Sequence, residues 1–360
     1  TGLSRFSYLR VVAHAATTGI TGNARDVREL SQKLQARFLM MGSLRKAGGM
    51  IRVSAQLVDS RSGVSLWAEH YDRESNQRSA FELQDELVPR IVSTVADMNG
   101  VLPRSLNEAV RDHPPQELNP YEAVLRSFGY FWRLTPEEFN SARAGLESAL
   151  ETAPFYADAW AMLALLCVQA HGQRFDPDVD FLGKGEAAAR KAVDLAPSNH
   201  MSHFSLAQAL FFKKEFESFR NAARRAVALN PMDGNTIAFL GELLAYSNEL
   251  AEGEELANRA KQLNPHHPGW YWFTDFFLAF RRRDYRQAVS FGLKINLPDH
   301  WAYHFMLASA YGWLGDTVSA SNSLAALLKI RPNCAATLRS DLERWFDPEH
   351  ADHLRQGLSK

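Results

Sequence analysis

Leu195-Ala196-Pro197, Leu229-Asn230-Pro231, Leu263-Asn264-Pro265 and Ile330-Arg331-Pro332 are versions of one ending: an apolar residue, a variable one and a proline. Together with Pro154 and Pro298 they form a series with intervals of 43, 34, 34, 33 and 34 residues. Proline cannot donate an N–H and pushes its predecessor out of the α region, so each proline marks the stop of one helix and the turn into the next. A period near 34 with two helical stretches per interval is a repeated helix-turn-helix unit. Small residues recur where the paired helices must approach: Leu163-Ala164, Leu206-Ala207, Leu240-Gly241 and Leu307-Ala308 in first helices, and Ala142, Ala149, Ala192, Ala226, Ala260 and Ala320 in second helices.

Trp160-x2-Leu163-Ala164 and Leu307-Ala308-x2-Tyr311, followed by the spaced alanines and the closing proline, resemble the tetratricopeptide repeat. Six units run over residues 121–332, with 333–360 as capping helices around Trp345 and Leu354. The unit ending at Pro298 departs from the pattern, carrying Thr274-Asp275 where Leu-Gly is expected. The long first interval holds a loop with Asp176, Asp178 and Asp180. Phe181 and Ala187 stand where a calcium loop needs Gly and Glu, so this is read as a solvated inter-helix loop with a helix-capping aspartate.

Residues 1–113 follow another rule. Phe38 to Arg45, Ile51 to Asp59 and Val64 to Tyr71 are β-rich, and the second places Val53, Ala55 and Leu57 opposite Arg52, Ser54 and Gln56. With turns at Ala47-Gly48-Gly49 and Ser60 to Gly63 they predict an antiparallel meander. Tyr8 to Ala13 is a fourth strand candidate, and Asp26 to Ala36 and Phe81 to Met98 have helical spacing, the latter with a kink expected at Pro89. His113-Pro114-Pro115 opens a linker, 114–120. The fold class is therefore a small α+β amino-terminal domain followed by an all-α repeat superhelix.

Met41 to Arg45, Val53 to Asp59, Leu66 to Arg73 and Phe81 to Glu86 resemble the small α/β domain related to the TolB amino-terminal and FlgO-like domains. The resemblance implies that a first strand with a Val-x-Pro-Phe segment lies just before Thr1. It also implies the carboxy-terminal region of a bacterial signalling protein whose effector is a class III adenylate cyclase, a winged-helix transcriptional regulator or a serine/threonine kinase.

The chain carries 40 Lys+Arg against 41 Asp+Glu, which excludes the large basic field of a nucleic-acid or anionic-membrane binder. Two cysteines exclude a disulfide framework or a cysteine zinc site, and no apolar run reaches the length of a membrane span. Phosphate-cradling glycine motifs and the G-x-S-x-G elbow are missing. Ser43-Leu44-Arg45-Lys46 matches S-x-x-K without its companion motifs. His300 with His304 and His350 with His353 share helical spacing but lack a third ligand and are read as surface or capping histidines. Cys167 is read as a small buried hydrophobe, and Arg281 to Arg283 with Arg286 as a solvated basic knot or a contact for an acidic partner. No catalytic residue, metal site or cofactor is expected.

A surface remains. The tetratricopeptide resemblance implies that positions 2, 5, 9, 12 and 13 of each first helix face a concave groove. Counting position 1 as three residues after each proline gives Phe204, Gln208, Phe211 and Phe212, then Asn235, Glu242 and Tyr246, then Trp272, Phe276 and Phe280, then Phe305 and Trp313. Exposed aromatics at that density need a cover: a protein or peptide partner, the chain's own effector or amino-terminal region, or a second copy in a homodimer. The alternative is that they pack between adjacent repeats. The expected function is non-catalytic regulation and protein interaction, with no direct nucleic-acid contact and no membrane insertion by this region. A second reading makes the α/β domain a small-molecule sensor whose signal the repeats relay. The unpaired cysteines favour a cytoplasmic setting over a periplasmic one behind a preceding membrane span.

Overall fold

The computed structural model describes residues 2–17, 27–74 and 80–360. After a 3-10 turn at Leu3–Arg5 come α1 (His14–Thr17) and α2 (Val27–Leu34), then β1 (Phe38–Ala47), β2 (Met50–Asp59) and β3 (Val64–Glu74), then α3 (Ala80–Ala96) and α4 (Val101–Val110). Asp26, at the start of the predicted first helix, lies outside the described residues. The strands form an antiparallel sheet in the order β1-β2-β3. Ala47 pairs with Met50, leaving Gly48-Gly49 as a two-residue turn with φ of +56° and +77°. Positive φ at both central residues suits the right-handed twist of a hairpin, and glycine adopts it without strain. Arg52 and Asp72, directly opposite in the register, form a 2.7 Å ion pair across the outer face. The inner face rests on α3 and α4 through a small core of Leu57, Val95 and Leu102, and Arg73 ties β3 to Glu86 of α3. α3 continues through Pro89.

The repeat period becomes six helix pairs among the described residues. They are α5 (Pro120–Arg133) with α6 (Pro136–Thr152), α7 (Ala157–Gln173) with α8 (Phe181–Leu195), and α9 (His200–Phe212) with α10 (Phe216–Leu229). Next come α11 (Gly234–Tyr246) with α12 (Leu250–Leu263), α13 (Phe273–Arg281) with α14 (Tyr285–Ile295), and α15 (Trp301–Leu314) with α16 (Thr317–Ile330). In each pair at least one helix starts from a side chain that accepts an orphan N–H group of the helix N-terminus: Asn119, Asn199 and Asp233 at first helices, and Thr135, Asp180, Asp284 and Asp316 at second helices. Asp180 is thus the capping residue of the long loop. Two last helices, α17 (Cys334–Trp345) and α18 (Pro348–Gly357), fold back onto the array. α18 crosses α15 so closely that a Cβ at Gly312 would collide with the Gly357 carbonyl oxygen.

The array closes on itself. Trp301 of α15 donates its indole N–H to Gln173 Oε1 of α7 at 3.0 Å, and Trp345 of α17 donates to the Gly172 carbonyl at 3.2 Å while its ring meets Phe212 edge-on. Lys214 Nζ reaches the Arg344 carbonyl at 2.6 Å. Buried Asp341 collects Arg174, Arg331 and Arg344 at 3.1 to 3.5 Å, tying the second unit, the sixth and the cap. The first helices of all six units and α17 therefore surround a common lumen.

The predicted fourth strand does not form. Residues 9–13 have no regular structure, and Val11 is exposed. Instead Phe6 and Tyr8, 1% and 3% exposed, sink into the first helices of the repeats. Their apolar surface is satisfied by helix faces, so no strand partner is needed.

Candidate functional site

The amino-terminal segment is seated by directional contacts as well as by burial. The Phe6 ring meets Tyr8 and His200 edge-on, each at 5.8 Å between centroids, and the Tyr8 ring meets Phe128 of α5 at 5.1 Å. The Tyr8 hydroxyl donates to the Ala96 carbonyl at the end of α3. Arg5 Nη1 donates to the Leu229 carbonyl at 2.8 Å, and Ser7 Oγ to Asp158 at 2.7 Å. Asp158 is also held by Asn199, so one carboxylate joins the segment to units two and three.

Beneath the segment lies a buried polar cluster. His200 Nε2 and Asp233 Oδ2 are 2.9 Å apart, and Thr236 Oγ1 donates to the same carboxylate. Asp97, in the turn after α3, accepts from Ser93 Oγ and the Asn99 backbone N–H, and Asn99 donates in turn to Asn235 of α11 at 2.7 Å. Burial pushes the Asp97 carboxyl up to about 8, with the nearby Asp233 charge adding to the effect and Ser93, Asn99 and Arg104 opposing it. Its folded pKa stands above its unfolded one. Between roughly pH 4 and pH 8 the folded chain therefore keeps a proton that the unfolded chain has lost, and stability falls as pH rises through that window. Asp97→Asn is expected to reduce the drop in unfolding midpoint between pH 5 and pH 8 by several degrees, read by thermal melts. An unchanged pH dependence would remove Asp97 from this role.

The lumen proper is a cavity of about 300 Å³. Phe204, Gln208, Asn235, Glu242, Tyr246 and Phe305 line it, six of the groove positions anticipated from the repeat. The others go elsewhere. Phe211 packs inside its own helix pair on Phe216 and Phe219, and Phe212 turns to Trp345. Phe276 stacks on Phe280 within the core, and Phe280 also meets Tyr285 and His353. Trp272 lies parallel to Phe291 with the Lys261 and Lys294 ammonium groups on its ring. Trp313 is covered by α18, stacking on Tyr285 and donating to the His353 carbonyl. The shift at α13 has a cause: Pro268 and the 3-10 turn Gly269–Trp272 rotate the helix relative to a count from Pro265. Trp270 and Phe273 take the lumen positions instead.

Several lining residues carry no signal in the repeat pattern, among them Trp132, Gln173, His300 and Trp301. Gln169 Nε2 donates to Gln208 Oε1 at 3.3 Å. His300 is held neutral, burial pushing it down to about 4. His350 is a correction to the surface reading: it is buried among Phe277, Phe280 and Phe346, where burial pushes it down to about 3. Cys167 is the buried hydrophobe expected, its thiol pushed up to about 11 by burial. The basic knot is engaged within the chain: Arg281 meets Asp347 and Asn248, and Arg282 meets Glu254.

No family model matches the chain. It is 28% identical over 225 residues to Putative adenylate cyclase 3 of Rhizobium meliloti (strain 1021), an alignment covering 62% of this chain and 37% of that protein. Among solved structures it is similar to the human IFIT1 dimer with m7Gppp-AAAA, at 15% identity and a TM-score of 0.52, covering 71% of this chain and 64% of that one. It is also similar to a tetratricopeptide repeat protein from Parabacteroides merdae ATCC 43184, at 15% identity and a TM-score of 0.39, covering 66% of this chain and 98% of that one. The repeat region is a tetratricopeptide superhelix. A short antiparallel sheet precedes it. The chain spans about 37% of the length of the curated relative. Among the described residues no helix is long and apolar enough to cross a membrane.

Proposed function

We propose that this chain is a non-catalytic regulatory region of a bacterial signalling protein, in which the ring of repeats grips the chain's own amino-terminal segment and so restrains an effector joined to it. The observation that carries the reading is the seating of Phe6 and Tyr8 in the repeats, backed by Arg5 and Ser7. The grip supports self-binding over capture of a separate protein, because Phe6 and Tyr8 already occupy the faces of α9 and α5 that they meet. The division into a TolB/FlgO-like module over 1–113, a linker and six repeats with a cap belongs to the same proposal, as does a cytoplasmic setting. An adenylate cyclase as the effector is supported by the name of the R. meliloti relative and by the share of that protein lying outside the alignment.

Phe6→Asp with Tyr8→Asp, placed in the full-length protein, tests it. Burying unpaired carboxylates is costly, so the segment should leave the ring. Conversion of ATP to cyclic AMP is expected to change several-fold, with kinase and transcriptional readouts following the same rule if the effector is of those kinds. An output equal to that of the unsubstituted protein, with the segment shown by proteolysis to be released, would refute the regulatory reading.

A further inference from the structure

The lumen has features that the amino-terminal grip does not use. Its walls are aromatic, with Phe204, Phe239 and Trp270 in edge contact along one side and Phe273, Trp301 and Phe305 on another. Its volume of about 300 Å³ is at the small end of ligand pockets and equals the space of roughly ten waters. Into it projects Glu242, a carboxyl only 7% exposed. The Tyr246 hydroxyl, one turn along α11, hydrogen-bonds it, and no basic side chain pairs with it among the described residues. Burial pushes this carboxyl up to about 8. Two further polar atoms of the lining, Trp132 Nε1 and His300 Nδ1, are buried without a partner among the described residues.

Buried polar atoms left unpaired are costly, and a carboxyl among aromatic rings with one hydroxyl as its partner is poorly compensated. An occupant would relieve the cost. The ring faces carry negative potential, so they and the carboxylate favour the same partner, a cation. His300, neutral by burial, adds no opposing charge. The other titratable groups of the lining are Tyr246 and Arg104. The exposed Arg104 guanidinium stacks on Trp132 and donates to the Asn99 carbonyl, marking the solvent side. We propose that the lumen is a binding site for a small organic cation with a flat apolar body, an arylalkyl amine in chemical class, whose ammonium group pairs with Glu242. This site lies mainly in the repeats, with Met98, Asn99 and Arg104 of the amino-terminal region at its edge, and does not depend on the regulatory reading.

Tryptamine and indole-3-propionate supply the test, because they carry one ring on chains ending in opposite charges. With the whole chain at pH 7, titration calorimetry is expected to show one tryptamine bound at least tenfold more tightly than indole-3-propionate. Glu242→Gln, nearly isosteric with the protonated carboxyl, should weaken tryptamine binding at least tenfold. Pairing with an ammonium ionises Glu242, so repeating the titration in buffers of different ionisation enthalpy should reveal close to one proton released per amine. The inference fails if neither compound binds, if indole-3-propionate binds as well as tryptamine, if Glu242→Gln binds tryptamine unchanged, or if no proton is released by the unsubstituted chain.

Discussion

Phe6→Ala combined with Tyr8→Ala is expected to free the amino-terminal segment while leaving the six helix pairs folded. Truncating one buried phenylalanine costs roughly 3–5 kcal/mol. The two rings touch, so their losses will not simply add. Even ~3 kcal/mol shifts the docked–undocked equilibrium by roughly a hundredfold at about 1.4 kcal/mol per tenfold. Arg5 and Arg10 flank the two rings and provide tryptic sites within the region that should open. Cleavage there, followed by mass spectrometry under native conditions, should accelerate by one to two orders of magnitude, because cleavage of a transiently opened segment follows its open population. Far-ultraviolet helicity should stay near that of the unsubstituted chain. Equal cleavage rates in the two proteins would mean that Arg5 and Ser7 hold the segment without the rings.

Trp345→Ala is expected to have the largest effect on the repeats themselves. The ring covers Gly172 and meets Phe212, and the indole N–H makes the shorter of two hydrogen bonds from α17 to the end of α7. Because Trp345 is only partly buried, the loss is placed at the low end for tryptophan truncation, about 3 kcal/mol. Removing it leaves the junction to the Asp341 arginine cluster and the bonds of Lys214 and Arg344, so the array should loosen between its second and sixth units. Urea titrations should show a lower midpoint, and small-angle scattering a larger radius of gyration. Trp345→Phe, which keeps the packing and loses the hydrogen bond, should fall between. A midpoint unchanged in Trp345→Ala would place ring closure in the Asp341 cluster instead.

The repeat was legible because proline, alanine and glycine report backbone needs that are local to each unit. The six lumen residues found at the expected positions come from units whose first helix starts three residues after its proline. In the unit after Pro265, the extra Pro268 and its 3-10 turn move the register, which a count along the chain cannot register. Phe211 and Trp313 were misplaced for a different reason: helix α10 in one case and helix α18 in the other claims the aromatic first. Tyr8 to Ala13 looked like a strand because a short apolar run identifies burial without identifying what does the burying. His350 illustrates the same limit, since its surroundings come largely from α13, about seventy residues earlier. Gln173 and Trp301 matter through a bond between units far apart in sequence, which leaves no periodic trace.

Open arrays of this kind behave as one-dimensional stacks, able to fray from either end and to gain or lose a unit by duplication or deletion. The bonds from Trp301, Trp345 and Asp341 back to the second unit remove that freedom. A chain with five or seven units would bring Trp345 to the wrong rotation and rise to meet Gly172. The number of repeats here is thus fixed by geometry, in the way a polygon fixes its sides, and cooperative melting of units two to six as one block is the behaviour that follows.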